Sequence, residues 1–249
     1  MNNPGPATIN PGLHSLIVIA RLLDYPTQDL QDAAPAMLDI IDTETRLPVA
    51  QRQALMQFIQ QLQTAILLDI QADYVETFER GRALSLLLFE HVHGESRARG
   101  QAMVDLLQQY RQAGLELSAR ELPDYIPLYL EYLATRPQDE AAQGLGDVYP
   151  ILALLSARLQ ERGKAYHLLF DALLGMINIQ PDMAGLRQQA AAEARDDTPA
   201  AMDAVWEEEM VNFVDDQGAS CPSQMPLPQA TRRTTTHTLH FQEPTHVTP

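Results

Sequence analysis

The chain has 249 residues, 45% of them hydrophobic and 6% aromatic, and a formal net charge of −16 from 33 acidic and 17 basic residues. Such acidity repels phosphate backbones, which argues against nucleic acid and anionic membranes as partners and favours a basic peptide. Cys221 is the single cysteine, so no internal disulfide is possible, and no apolar run approaches the ~20 residues that cross a bilayer. The opening MNNPGPATINPG has neither the basic start nor the apolar centre of a signal peptide, so a soluble, cytoplasmic protein without membrane insertion is expected.

Residues 13–24 place Leu16, Ile17, Ile19, Ala20 and Leu23 at helical spacing, and Pro26 ends the pattern. Thr27 is set to cap the next helix, with Leu30, Met37, Leu38 and Ile41 on one side; Pro35 within it predicts a kink or a late start. Pro48 suits an early helical position ahead of Leu55, Phe58, Ile59 and Leu62. A fourth helix is predicted over residues 69–79, ending near Gly81. Met103, Leu106, Leu107 and Tyr110 then share a face, and Gly114 with Leu115 reads as a glycine cap with its hydrophobic contact.

Residues 121–134 predict a helix that buries Leu122, Ile126, Leu130 and Leu133, with Pro123 in its first turn and Pro127 as a bend. The leucine-dense stretches 145–159 and 165–177 read as inner helices. Stretches 183–194 and 200–214 complete the set, the last docked by Trp206. Strand alternation, hairpin signals and internal repeats are missing from the sequence. From Gly218 the composition turns to Pro, Thr, Ser and Gln, which predicts a disordered tail. The expectation is an all-α, single-domain bundle of about nine to ten helices: a flexible N-terminus over 1–12, a helical domain over 13–217, and the tail over 218–249.

The densest mixture of chemistry lies between Tyr74 and Met103. His91 and His93, with Glu90 and Glu95 beside them, frame a His-x-His that invites a metal, and with it a metal-dependent hydrolase. On a helix those two rings diverge, and no third ligand stands at a fixed spacing, so hydrogen bonding to neighbours or titration within a binding surface explains them better. No nucleophile elbow, phosphate loop or zinc motif occurs, so neither an enzyme nor a bound cofactor is expected. The acidic run of Glu193, Asp196, Asp197, Asp203, Glu207, Glu208, Glu209, Asp215 and Asp216 reads as a solvated helix face, with an acidic rim for a cationic peptide as the alternative. Core packing is the default for Phe78, Phe89, Tyr125 and Tyr129. Their place beside charges at helix ends raises the alternative of a groove with an apolar floor and a charged rim.

These same residues carry a family resemblance. The stretches YVETFERGRALSLLLFEHVHGESRARGQAMVDLLQQY, RELPDYIPLYLEYL, PILALLSARLQ and EARDDTPAAMDAVWEEE resemble the NarJ family over residues 16–216. Its members are dedicated chaperones, also called delta subunits, for molybdenum cofactor assembly in respiratory nitrate reductase. The resemblance implies the all-helical fold of the wider redox-enzyme maturation chaperones of the TorD and DmsD types. As partner it implies the catalytic (alpha) subunit, chiefly its N-terminal segment, a twin-arginine-like remnant, with cofactor-biosynthesis proteins as further partners. A scaffold subunit retained in the mature complex is the other reading. Carried over by position, the Tyr-x-x-x-Phe box falls on Tyr74 and Phe78 and its arginine on Arg80; FEHVHGES falls on Phe89 to Ser96. The LPD box falls on Leu122 to Asp124, with Tyr125 where a histidine is common and Glu79 where aspartate is frequent. The implied peptide-binding residues are Tyr74, Phe78, Arg80, Phe89, Glu90, His91, His93, Glu95, Leu122, Asp124 and Tyr125.

Overall fold

Apolar residues on nearly every side make helix α1 (His14–Leu23) an interior element: Leu16, Val18, Ile19, Ala20, Leu22 and Leu23 are all buried. The computed structural model describes residues 9–92, 97–117 and 121–204. After α1 come α2 (Gln28–Asp32), α3 (Ala34–Asp42), α4 (Val49–Thr64), α5 (Leu67–Tyr74), α6 (Leu88–Val92) and α7 (Arg97–Gln112). The chain continues through α8 (Ile126–Ala134), α9 (Gln138–Glu161), α10 (His167–Met176) and α11 (Met183–Ala192), and residues 199–204 begin a further helix. Nine of these helices have seven or more residues, as the apolar periodicity predicts. Among the described residues the only strand-like feature is one antiparallel bridge, Leu87 with Tyr125. Trp206 and the proposed tail lie outside them.

Helices α3, α8 and α10 pack on α1, while α9 joins α8, α10 and α11. Local chemistry sets most boundaries. Thr27 caps α2 by accepting the Leu30 N–H at 3.3 Å, and Pro35 gives the late start: α2 stops, and α3 begins with the proline in its first turn. Pro48 sits one place earlier than expected, as the cap before Val49. Gly114 ends α7 at φ 79°, with the Leu115 N–H donating to the Tyr110 carbonyl at 2.9 Å.

Two expectations at α8 are corrected. Helix α8 starts at Ile126 rather than 121, so Pro127 occupies its first turn and bends nothing. Leu122 stands before the helix, 44% exposed rather than buried. The single lysine, Lys164, ties the α9–α10 connection to α5 through Asp73 and to the turn after it through Glu76, both at 2.7 Å.

Candidate functional site

The site begins where α5 runs into a π-helical turn, Val75–Glu79. Such turns widen a helix by one residue per turn and re-aim its side chains. Here Tyr74 and Phe78 both point inward, 4% and 7% exposed. The Tyr74 hydroxyl donates to the Leu23 carbonyl at 2.9 Å, and its ring lies 5.0 Å from Phe78 and edge-on to Tyr25 at 5.6 Å. Phe78 in turn meets Tyr166 edge-on at 4.9 Å. Burial pushes the Tyr74 phenol up to about 12, so it stays a neutral donor. These two residues form the aromatic floor beneath the site.

Gly81, at φ 82°, turns the chain out of this helix, and Arg80 before it is exposed. A Cβ on Gly81 would meet the Asp196 carboxylate at 2.6 Å. That carboxylate accepts the N–H groups of Arg82 and Ala83, each at 2.6 Å, and the Arg162 guanidinium at 2.9 Å. Arg162 lies 3.4 Å from Asp197 as well. Arg158 makes a bidentate pair with Glu193 at 2.7 and 2.9 Å and donates to the Ala83 carbonyl at 2.8 Å. The solvated-face reading is therefore corrected for Glu193, Asp196 and Asp197. They cap a turn and neutralise two arginines, because α9 brings both guanidinium groups under them. Asp203 is exposed, and the remaining acids of that run lie outside the described residues.

Beyond the turn, residues 86–88 lie alongside 124–126. The Ile126 N–H donates to the Leu86 carbonyl at 2.8 Å, and the Leu88 N–H to the Asp124 carbonyl at 2.9 Å. The fully buried Asp124 carboxylate accepts the Phe89 N–H at 3.1 Å and so caps α6. Arg99 of α7 stands 4.0 Å from Asp124 and 3.7 Å from Glu90, an ion-pair distance without a hydrogen bond. Burial pushes the Asp124 carboxyl above its ordinary range. This pairing brings Phe89, Glu90 and His91 together with Leu122, Asp124 and Tyr125, two stretches some thirty residues apart. His93 and Glu95 lie outside the described residues.

His91 is half-buried, and its Nε2 lies 2.8 Å from the Ser85 carbonyl, so Nε2 carries the proton and donates. Burial, with Arg158 nearby, draws its basicity below the ordinary value. Among the described residues no group of three or more His, Cys, Asp or Glu side chains is placed to hold a metal.

Toward solvent this edge presents Val92, 59% exposed, and Leu122. Beside Leu122 stands an acidic rim that was not nominated from the sequence. Tyr125 donates to Asp24 at 3.1 Å, and Asp24 and Glu131 share Arg21 at 3.3 and 2.9 Å. Desolvation, reinforced by Glu121, pushes both Asp24 and Glu131 up. Tyr25, next to Asp24, is 45% exposed. Arg158 and Arg162 were missed too, although their spacing at the end of an apolar helix puts both on one face. A separate apolar cleft of about 150 Å³ lies between α4, α5 and α10, lined by Phe58, Leu62, Ala65, Ile70 and Tyr166, with Asp73 at its rim.

A family model described as the nitrate reductase delta subunit matches residues 43–171. The chain is 57% identical over 203 residues to the nitrate reductase molybdenum cofactor assembly chaperone NarJ of Escherichia coli K12, covering 82% of this chain and 86% of that one. It is 49% identical over 218 residues to NarW of the same strain, covering 88% and 91%. A NarJ of Bacillus subtilis is 28% identical over 157 residues, covering 63% and 84%. With that family match and these identities, the chain belongs to the nitrate reductase delta subunit family.

Proposed function

We propose that this chain is a molybdenum cofactor assembly chaperone for a respiratory nitrate reductase, the role in the name of its E. coli relative NarJ. It binds rather than catalyses. Its partner is the N-terminal segment of the catalytic subunit, held in the cytoplasm until the cofactor is inserted and the enzyme docks at the membrane; cofactor-biosynthesis proteins would meet it there. Among the described residues no helix is long and apolar enough to cross a membrane.

The observation that supports this reading most is the pairing of residues 86–88 with 124–126. It joins the segment leading to half-buried Phe89 and exposed Val92 to the segment that follows exposed Leu122, with Glu121, Asp24 and Glu131 clustered near the latter. Apolar side chains of an amphipathic segment would lie over Leu122, Val92 and Phe89, while its cations face the acids. Asp124 and Tyr125 serve this surface from beneath, the first by capping α6 and the second by fixing Asp24.

Complementation tests the function. Cells lacking their own assembly chaperone should regain molybdenum-loaded nitrate reductase when supplied with this chain, and metal-free reductase despite good expression would refute it. Substitution tests the surface. Leu122→Glu should abolish capture of the catalytic subunit. Capture that survives Leu122→Glu but fails with Ile70→Glu would place the ligand in the α4–α5 cleft instead.

A further inference from the structure

Residues 193–197 leave α11 as a strap across the end of α9 and the Gly81 turn. Helix α11 buries none of its residues fully; Met183 and Leu186 rest half-buried on the core. The strap's hold is ionic and backbone-directed: Glu193 on Arg158, Asp196 and Asp197 on Arg162, and Asp196 on the N–H groups of Arg82 and Ala83. Successive N–H groups after a left-handed glycine converge on one anion, and only a missing Cβ at Gly81 leaves room for it. Segments held by few apolar contacts occupy the low end of a protein's local stability.

The turn that the strap clamps is the near end of the binding edge. Ala83 takes Arg158 on its carbonyl, Ser85 takes His91, Leu86 and Leu88 pair with 124–126, and Phe89 is capped by Asp124. Whatever frees the Arg82 and Ala83 N–H groups therefore loosens the loop on which α6 hangs. We infer that the strap Glu193–Asp197 is a latch on the binding edge: closed, it holds Phe89, Val92 and Leu122 in the geometry that accepts the peptide, and open, it lets α6 drift. The inference rests on the peptide-binding reading above and adds how that site is regulated. Because coupling is reciprocal, a peptide that prefers the set edge also tightens the latch. Burial of Asp196 is outweighed by hydrogen bonds from Ala83, Arg162 and Arg82, which hold its carboxyl below the ordinary value, so it is ionised at neutral pH and protonation does not open the latch.

The test compares the wild-type chain, Asp196→Ala and Glu193→Ala. Calorimetry with a synthetic peptide of the reductase N-terminal segment is combined with amide exchange at Arg82, Ala83 and Phe89. Asp196→Ala should weaken the peptide by roughly 5- to 150-fold, the range of ordinary coupling, and Glu193→Ala by less. Peptide should slow exchange at Arg82 and Ala83 in the wild type alone. Without peptide, Phe89 should exchange faster in Asp196→Ala. Equal affinities, with Phe89 exchange unchanged by the substitution, would reduce the strap to a structural cap. A wild-type chain that ignores the peptide refutes the binding reading, while Phe89 exchange still decides the latch. Glu193→Ala carries the comparison if Asp196→Ala does not fold.

Discussion

Two aromatic-and-charged stretches sit fifteen residues apart in the sequence and look alike there, yet the fold uses them in opposite ways. Tyr74 and Phe78 are driven into the core by the π-helical turn and bear on Tyr25 and Tyr166. Phe89 and Val92, with Leu122 across the bridge, are left partly or largely outside. The first stretch belongs to the core and the second to the edge. A family motif can therefore mark a floor as readily as a contact, and the distinction lies in burial rather than in residue type.

The largest expected effect breaks the floor. Phe78→Ala should cost about 3–5 kcal/mol in chemical denaturation, the usual toll of an aromatic cavity, while leaving peptide affinity of the folded fraction nearly unchanged. Next comes the joint between the regions. Asp124→Ala leaves the Phe89 N–H without its acceptor and should cost about 1–3 kcal/mol, most of it restored by Asp124→Asn. Tyr74→Phe removes the bond to the Leu23 carbonyl and the hydroxyl's hydrogen bond with Tyr125, about 1–2 kcal/mol by the same denaturation assay.

His91 separates the regions by pH. Its folded basicity lies below the ordinary 6.5, so the unfolded chain binds a proton that the folded chain refuses. The stability this contributes is complete above 6.5 and is lost as pH falls below it. Thermal melts from pH 7.5 to 5 should show the decline in the wild type and a shallower one in His91→Gln. The smallest stability effect belongs to the edge: Leu122→Ser should stay within about 0.5 kcal/mol of wild type, yet weaken peptide binding several-fold.

Much of the fold was legible because its boundaries are local. Thr27, Pro35, Gly81 and Gly114 punctuate the chain where backbone chemistry requires it, and leucine periodicity marks the buried faces between them. The site was legible only in part. Phe89 and Tyr125 could be nominated from the charges beside them and Leu122 only from the family resemblance, but the start of α8 could not be placed. That start depends on hydrogen bonds between 86–88 and 124–126, which no local pattern encodes. Nor could the sequence alone distinguish a π-helical turn from the α-helix it interrupts; Tyr74 and Phe78 entered the expected site through the family resemblance, with core packing as the default for Phe78. The strap was hidden for a similar reason. Its acids find partners at Arg158 and Arg162 through packing of α9 beneath them, so from composition they read as solvated.

The comparison between floor and edge comes to one measurement: calorimetric titration of the full chain with a peptide of the reductase N-terminal segment, repeated with Leu122→Glu. The wild type should bind saturably at 1:1, with a negative heat-capacity change and affinity falling as salt rises, and a Leu122→Glu chain that melts normally should show no detectable binding. Equal binding by both chains would contradict a binding surface at this edge.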